Sequence, residues 1–157
     1  MRYQVRDNGS ILQFDGILLA ESSSRTNNPR WVDFELYKTN SGTYVLSRVG
    51  RSMLFHSKDC KTVSRNNLKR AEESELSADA LPCEECLPER TQPEGVYPET
   101  HRYYALRTTT AKGVLAGLMQ YDENNSEYLT NVAKKLLISA AEVDDAIDEV
   151  FSRRVID

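Results

Sequence analysis

The sequence predicts an α+β fold: an antiparallel β meander, a Cys- and His-bearing loop inserted in it, and a helical C-terminal segment. Three observations carry this expectation. From Trp31 to Thr39, apolar Val32, Phe34 and Leu36 alternate with Asp33, Glu35 and Tyr37, the period of a strand with one apolar face. Turn-forming dipeptides punctuate the first half of the chain at hairpin intervals. Beyond residue 110 the apolar spacing changes to three and four, the period of helices packed on one side.

The first strand pair is expected at Arg2 to Asp7 and Ile11 to Phe14, around Asn8-Gly9, which tolerates the positive φ of a tight turn. Asp15-Gly16 reads as a second turn leading into Ile17 to Glu21, and Ser22 to Pro29 has the composition of an exposed loop. After the strand from Trp31 to Thr39, Asn40-Ser41-Gly42 turns the chain into a partner strand at Thr43 to Val49. A bend is expected around Gly50, within Arg48 to Ser52, and Met53-Leu54-Phe55 then forms a short strand that carries His56 at its end. Asn66 to Ser77 has room for one or two helical turns, and Thr91 to Pro98 has the Pro and Gly content of a linker. These readings divide the chain into a β-rich lobe (1–92), a linker (93–100) and a helical region (101–157).

Helices are expected at Thr110 to Tyr121, Glu127 to Leu137 and Ala140 to Phe151. For the last, Ser139 and Glu142 have the spacing of a capping box, and Val143, Ile147, Val150 and Phe151 form the stripe to be buried. Asp144, Asp145, Asp148 and Glu149 then fall on the solvated face.

Composition narrows the class. With 157 residues, 39% apolar and 28% charged, the chain suits one globular domain or two small lobes. No apolar stretch follows the early charges, and the longest apolar run near the N-terminus, Ile17 to Ala20, is far short of the roughly 20 residues that a membrane span needs. A cytoplasmic chain without membrane contact is therefore expected. The net charge of −4 conceals a basic stretch, Arg48, Arg51, Lys58, Lys61, Arg65, Lys69 and Arg70, followed by an acidic one from Glu72 to Glu94. The basic residues are candidate nucleic-acid contacts; the alternative is that the two blocks are simply solvated or neutralise each other.

The cysteine count is three, and two of them form a C-x-x-C pair, which argues against a disulfide framework. His56-x3-Cys60, a gap of 22 residues, and Cys83-x2-Cys86 together make two close ligand pairs that a loop can fold onto one ion. Zinc favours four tetrahedral thiolate and imidazole ligands, and a site filled by four protein groups leaves no position for substrate. One structural zinc per chain, held by His56, Cys60, Cys83 and Cys86, is the expectation. Positions 61–82 lack a continuous apolar pattern, so ligation would supply much of that segment's folding free energy. Other readings stand beside this one. The C-x-x-C could be a redox pair, Cys60 and His56 could be ordinary buried and strand-end residues, and His101 could take the place of His56.

The stretch from Tyr44 to Pro88, Y-V-L-S-R-V-G-R-S-M-L-F-H-S-K-D-C through L-P-C-E-E-C-L-P, resembles the zinc-binding module of the Ada family of DNA alkylation-repair proteins. The shared pattern is a strand entering the first ligand, x3, a cysteine, a loop of twenty-odd residues, then P-C-x-x-C-x-P. In that family the first ligand is a cysteine that accepts a methyl group from a DNA phosphotriester, and this chain has His56 there. Zinc-bound imidazole is not a thiolate nucleophile, so the resemblance implies the zinc fold without alkyl transfer. No phosphate-binding glycine loop, G-x-S-x-G elbow or H-E-x-x-H helix occurs elsewhere. The expected function is that of a small non-enzymatic zinc protein whose C-terminal helices meet a protein partner or a second copy. The alternative is a nucleic-acid-binding accessory or regulator that uses the Ada-like module, with Trp31, Tyr37 and Tyr44 as stacking groups.

Overall fold

A computed structural model describes residues 1–26, 28–56, 60–61, 81–83, 97–98 and 101–156. Strands β1 (Arg2–Asp7), β2 (Ser10–Ser23), β3 (Arg30–Thr39) and β4 (Tyr44–Ser52) are followed by short β5 (Leu54–His56), β6 (Leu81–Pro82) and β7 (Tyr97–Pro98). Next come β8 (Arg102–Thr108), helix α1 (Ala111–Leu118), β9 (Gln120–Tyr121), β10 (Glu127–Tyr128), α2 (Asn131–Ala141) and α3 (Asp145–Ile156). The fold is α+β, as expected. Two units are distinguished: Met1–Ser24, Val32–Val49 and Tyr103–Asp157 form the first, Arg25–Trp31 and Gly50–Arg102 the second. No helix among the described residues is long and apolar enough to cross a membrane.

The main sheet has the order β1-β2-β3-β4-β8. Its first hairpin turns at Asn8, whose φ of 53° is the left-handed conformation that asparagine tolerates. Asp15-Gly16 is not a turn. β2 runs through it, pairing its first half with β1 (Asp7↔Ser10 to Arg2↔Asp15) and its second half with β3 (Gly16↔Thr39 onward). Glycine is needed there because a Cβ would stand 2.2 Å from the Lys38 carbonyl oxygen. The bend expected at Gly50 is likewise absent, since β4 continues to Ser52.

The sheet curls far enough for its edge strands to meet: the Asn8 amide donates to the Tyr103 carbonyl (3.0 Å) and the Ala105 amide to Asp7 Oδ1 (3.2 Å). Its alternating side chains therefore fill two cores. Val5, Tyr37, Val45 and Ala105 occupy one face, with Tyr3, Leu12 and Phe14 packed against them. Phe34, Leu36, Tyr44 and Leu46 occupy the other, under Val114, Leu118, Leu136, Leu137 and Ile147 of the helices. Tyr37, assigned to the polar face by simple alternation, is buried because that face is the inside of the curl.

The helix boundaries depart from the sequence pattern. α1 begins at the Thr110 cap, whose side chain accepts from the Gly113 amide, and ends at Leu118; the rest of the expected helix turns into β9. The stretch from Glu127 opens as β10, paired with β9 across a turn in which Asp122 Oδ1 accepts from the Asn124 and Ser126 amides, both at 2.9 Å. α2 runs through Ser139 because Leu136, Leu137 and Ala140 are all buried on one stripe, so the Ser139/Glu142 capping box does not form. α3 begins only at Asp145, which leaves Val143 in the connecting turn and 65% exposed instead of buried.

The cap of α3 is Asp144, expected on the solvated face but buried. Its Oδ1 accepts from the Ile147 amide (3.0 Å) and the Tyr44 hydroxyl (3.0 Å), and its Oδ2 from Lys38 Nζ (2.9 Å). One carboxylate thus ties β3 and β4 to the start of the last helix. Burial pushes the Asp144 carboxyl up, but the hydrogen bonds from Lys38, the Ile147 amide and Tyr44 outweigh it and hold the carboxyl below its ordinary value. A lowered folded-state pKa means that this stability is present above the unfolded value near ~4 and is lost as pH falls through the folded one.

Three substitutions test these contacts through stability. Asp144→Ala is expected to cost about 3 kcal/mol in urea unfolding at neutral pH, because it removes a cap and leaves the buried Tyr44 hydroxyl unsatisfied. Asp144→Asn keeps a capping oxygen and costs less, and it is expected to remove Asp144's share of the stability lost on acidification below about pH 4. Gly16→Ala is expected to cost about 2 kcal/mol or more, since its Cβ meets backbone and not a movable side chain; unchanged midpoints would show that β2 and β3 approach less closely.

Candidate metal centre

Short strands build the site. β5 lies between β6 and β7, parallel to β6 (Leu54↔Leu81, Phe55↔Pro82) and antiparallel to β7 (Phe55↔Pro98, His56↔Tyr97). The Leu81 amide donates to the Met53 carbonyl and the Cys83 amide to the Phe55 carbonyl, each at 2.9 Å. In a parallel pair, residues at one level point to the same side. The residue after Pro82 therefore stands level with the residue after Phe55, and Cys83 comes beside His56.

Cys60 completes the cluster. Its Sγ lies 3.5 Å from His56 Nδ1 and 3.6 Å from Cys83 Sγ. One ligand atom from each of the three residues lies within 4.8 Å of the others, which makes the group able to hold a metal ion. All three side chains are buried, His56 at 0%, Cys60 at 6% and Cys83 at 5% exposure. The sulfurs are much farther apart than the ~2.05 Å of a disulfide, so no disulfide joins Cys60 and Cys83. Among the described residues of the second unit, Leu54 is the only other buried side chain. This part of the chain encloses ligand atoms where an ordinary core would enclose hydrocarbon.

The other expected site residues are placed as follows. Cys86, Lys58, Arg65, Lys69 and Arg70 lie outside the described residues. Arg48 is exposed on β4, and Arg51, three positions on in the same strand, is half-buried with Nη1 3.3 Å from His101 Nδ1. An odd separation along a strand sends two side chains to opposite faces, so Arg48 and Arg51 do not share one surface. Lys61 is exposed. His101, the alternative ligand, is exposed and sits at Arg51, whereas His56 sits at the cysteines. Tyr37 and Tyr44 are buried and Trp31 is covered by the Arg25 guanidinium 4.5 Å from its ring centre, so these aromatics serve packing.

The Lys38–Tyr44–Asp144 group was missed by pattern reading. Its signal was Asp144 three residues before Ile147, the spacing of an Asp cap to the amide it satisfies. No family model, curated protein or solved structure matches this chain, and the chemistry of the cluster has to be argued from its own side chains.

Proposed function

We propose that His56, Cys60 and Cys83, with Cys86 as fourth ligand, hold one structural zinc ion in a non-enzymatic binding protein of Ada-like design. The observation that carries the reading is the spacing of the ligand atoms. Two thiolates at about 2.3 Å from a tetrahedral zinc stand about 3.8 Å apart, and a thiolate and an imidazole nitrogen about 3.55 Å. The cluster has 3.6 Å and 3.5 Å for the same pairs. The donor set fits as well: sulfur and imidazole suit zinc, and a dication offsets the cost of burying thiolates. Cys86 follows Cys83 at the C-x-x-C spacing that brings two sulfurs to one point.

A zinc with four protein ligands has no open position, so its contribution is folding free energy and not bond chemistry. With an imidazole where Ada proteins carry their acceptor cysteine, methyl transfer is not expected. A binding role draws support from apolar side chains left outside the core where α2 passes to α3, Ile138 at 53% and Val143 at 65% exposure. Ile147, one of the stripe expected to be buried, is buried against the molecule's own core.

Elemental analysis of the purified full chain is expected to give one zinc per chain, reduced strongly by Cys60→Ser and by Cys86→Ser. Chelation is expected to abolish hydrogen-exchange protection at the Cys83 amide while the amides of Leu136 and Leu137 keep theirs. Full zinc content in Cys60→Ser, or protection of Cys83 that survives chelation, would overturn the proposal.

A further inference from the structure

A cleft of about 370 Å3 opens on the first unit, within the ~300–1,000 Å3 range of small-molecule sites. Its floor is apolar, made by Leu12 and Phe14 of β2 and Val45 of β4, which continue the smaller of the two cores. One wall carries Thr39, Ser41 and Thr43, whose hydroxyls form a chain with links of 3.0 Å and 3.5 Å. The Thr43 amide donates to Thr39 Oγ1 at 3.1 Å. Three hydroxyl protons serve two links, so one proton is not used within the chain and is left for a further acceptor.

Charge decides what the cleft prefers. Arg107 of β8 lines it, exposed and with no ion pair or hydrogen bond to another described residue. The carboxylate in the lining, Asp15, is already matched by Arg2, with Nε 3.1 Å from Oδ1. The uncompensated charge is therefore a single guanidinium, whose planar fork fits a carboxylate in bidentate fashion. A monocarboxylate matches that charge one for one, whereas a phosphate dianion would bring twice the charge to one arginine.

We propose that this cleft is a binding site for a small organic monocarboxylate. The ligand's carboxylate meets Arg107 and the unused hydroxyl proton of the Thr39–Ser41–Thr43 chain, and its apolar body lies on Leu12, Phe14 and Val45. The cleft shares no lining residue with the metal cluster.

The test is a titration of the full-length, isotope-labelled chain followed by amide chemical shifts, with butyrate, hexanoate and phenylbutyrate as probes and phenylbutanol and inorganic phosphate as controls. Saturable shifts are expected at residues 12–15 and 39–45, with affinity rising along the carboxylate series as the apolar body grows. Arg107→Gln is expected to weaken phenylbutyrate binding about tenfold or more without moving the melting temperature, because Arg107 holds nothing else in place. The proposal is overturned if no carboxylate saturates at millimolar concentration or if the shifts map elsewhere. It is equally overturned if Arg107→Gln binds as the parent does, or if phenylbutanol or phosphate binds as tightly as phenylbutyrate.

Discussion

The described part of the second unit depends on one constraint, the register of β6 beside β5, which the hydrogen bonds from the Leu81 amide to the Met53 carbonyl and from the Cys83 amide to the Phe55 carbonyl fix. That register alone decides whether Cys83 faces His56 or turns away, because a slip of one residue would move its side chain to the opposite face. Strands as short as β5 and β6 supply few ladder bonds of their own, and short strand pairs are marginal in water. The three polar side chains they bring together would be costly to bury as an unneutralised group. A shared cation would resolve both difficulties at once, by satisfying the ligands and tying together residues 56, 60 and 83.

The first unit solves the corresponding problem with hydrocarbon. Its curled sheet presents one face to the helices and encloses the other, so apolar side chains on both of its faces have a place in one of two cores. Where a polar group enters, it is fully used: Asp144 accepts from a lysine, a tyrosine and a backbone amide, and so joins the sheet to the last helix. The same curl creates the cleft, since strands that close on one another near Asn8 and Tyr103 leave the inner face open elsewhere. Strand pairing and packing within the first unit position Leu12, Val45 and Arg107.

Much of this was legible in the residues, and the exceptions have physical causes. The alternation of Val32, Phe34 and Leu36 marked β3 because one face of that strand meets helices, as simple alternation assumes. His56, Cys60 and Cys83 could be grouped from spacing because ligand chemistry is restricted to few residue types. Gly16 misled, since glycine signals a turn locally, whereas here it admits the neighbouring carbonyl of Lys38, a contact no local pattern contains. Ser139 and Glu142 misled for a related reason: burial of Leu137 and Ala140 carried α2 past a plausible start signal, and the cap passed to Asp144. β8 was hidden because its alternation, Ala105 on one face and Leu106 on the other, is apolar on both sides. The cleft could not be foreseen at all, as its walls come from strands whose sequence separation says nothing about their approach.

The account stands on the side chains at positions 56, 60 and 83 sharing an ion with Cys86. X-ray absorption at the zinc edge of the purified full chain tests this most directly, because it counts the atoms bound to the metal and identifies their element. The expected result is a single shell of three sulfurs at about 2.3 Å with one nitrogen at about 2.0 Å. A shell of nitrogen and oxygen without sulfur, or one sulfur where three are required, would contradict it.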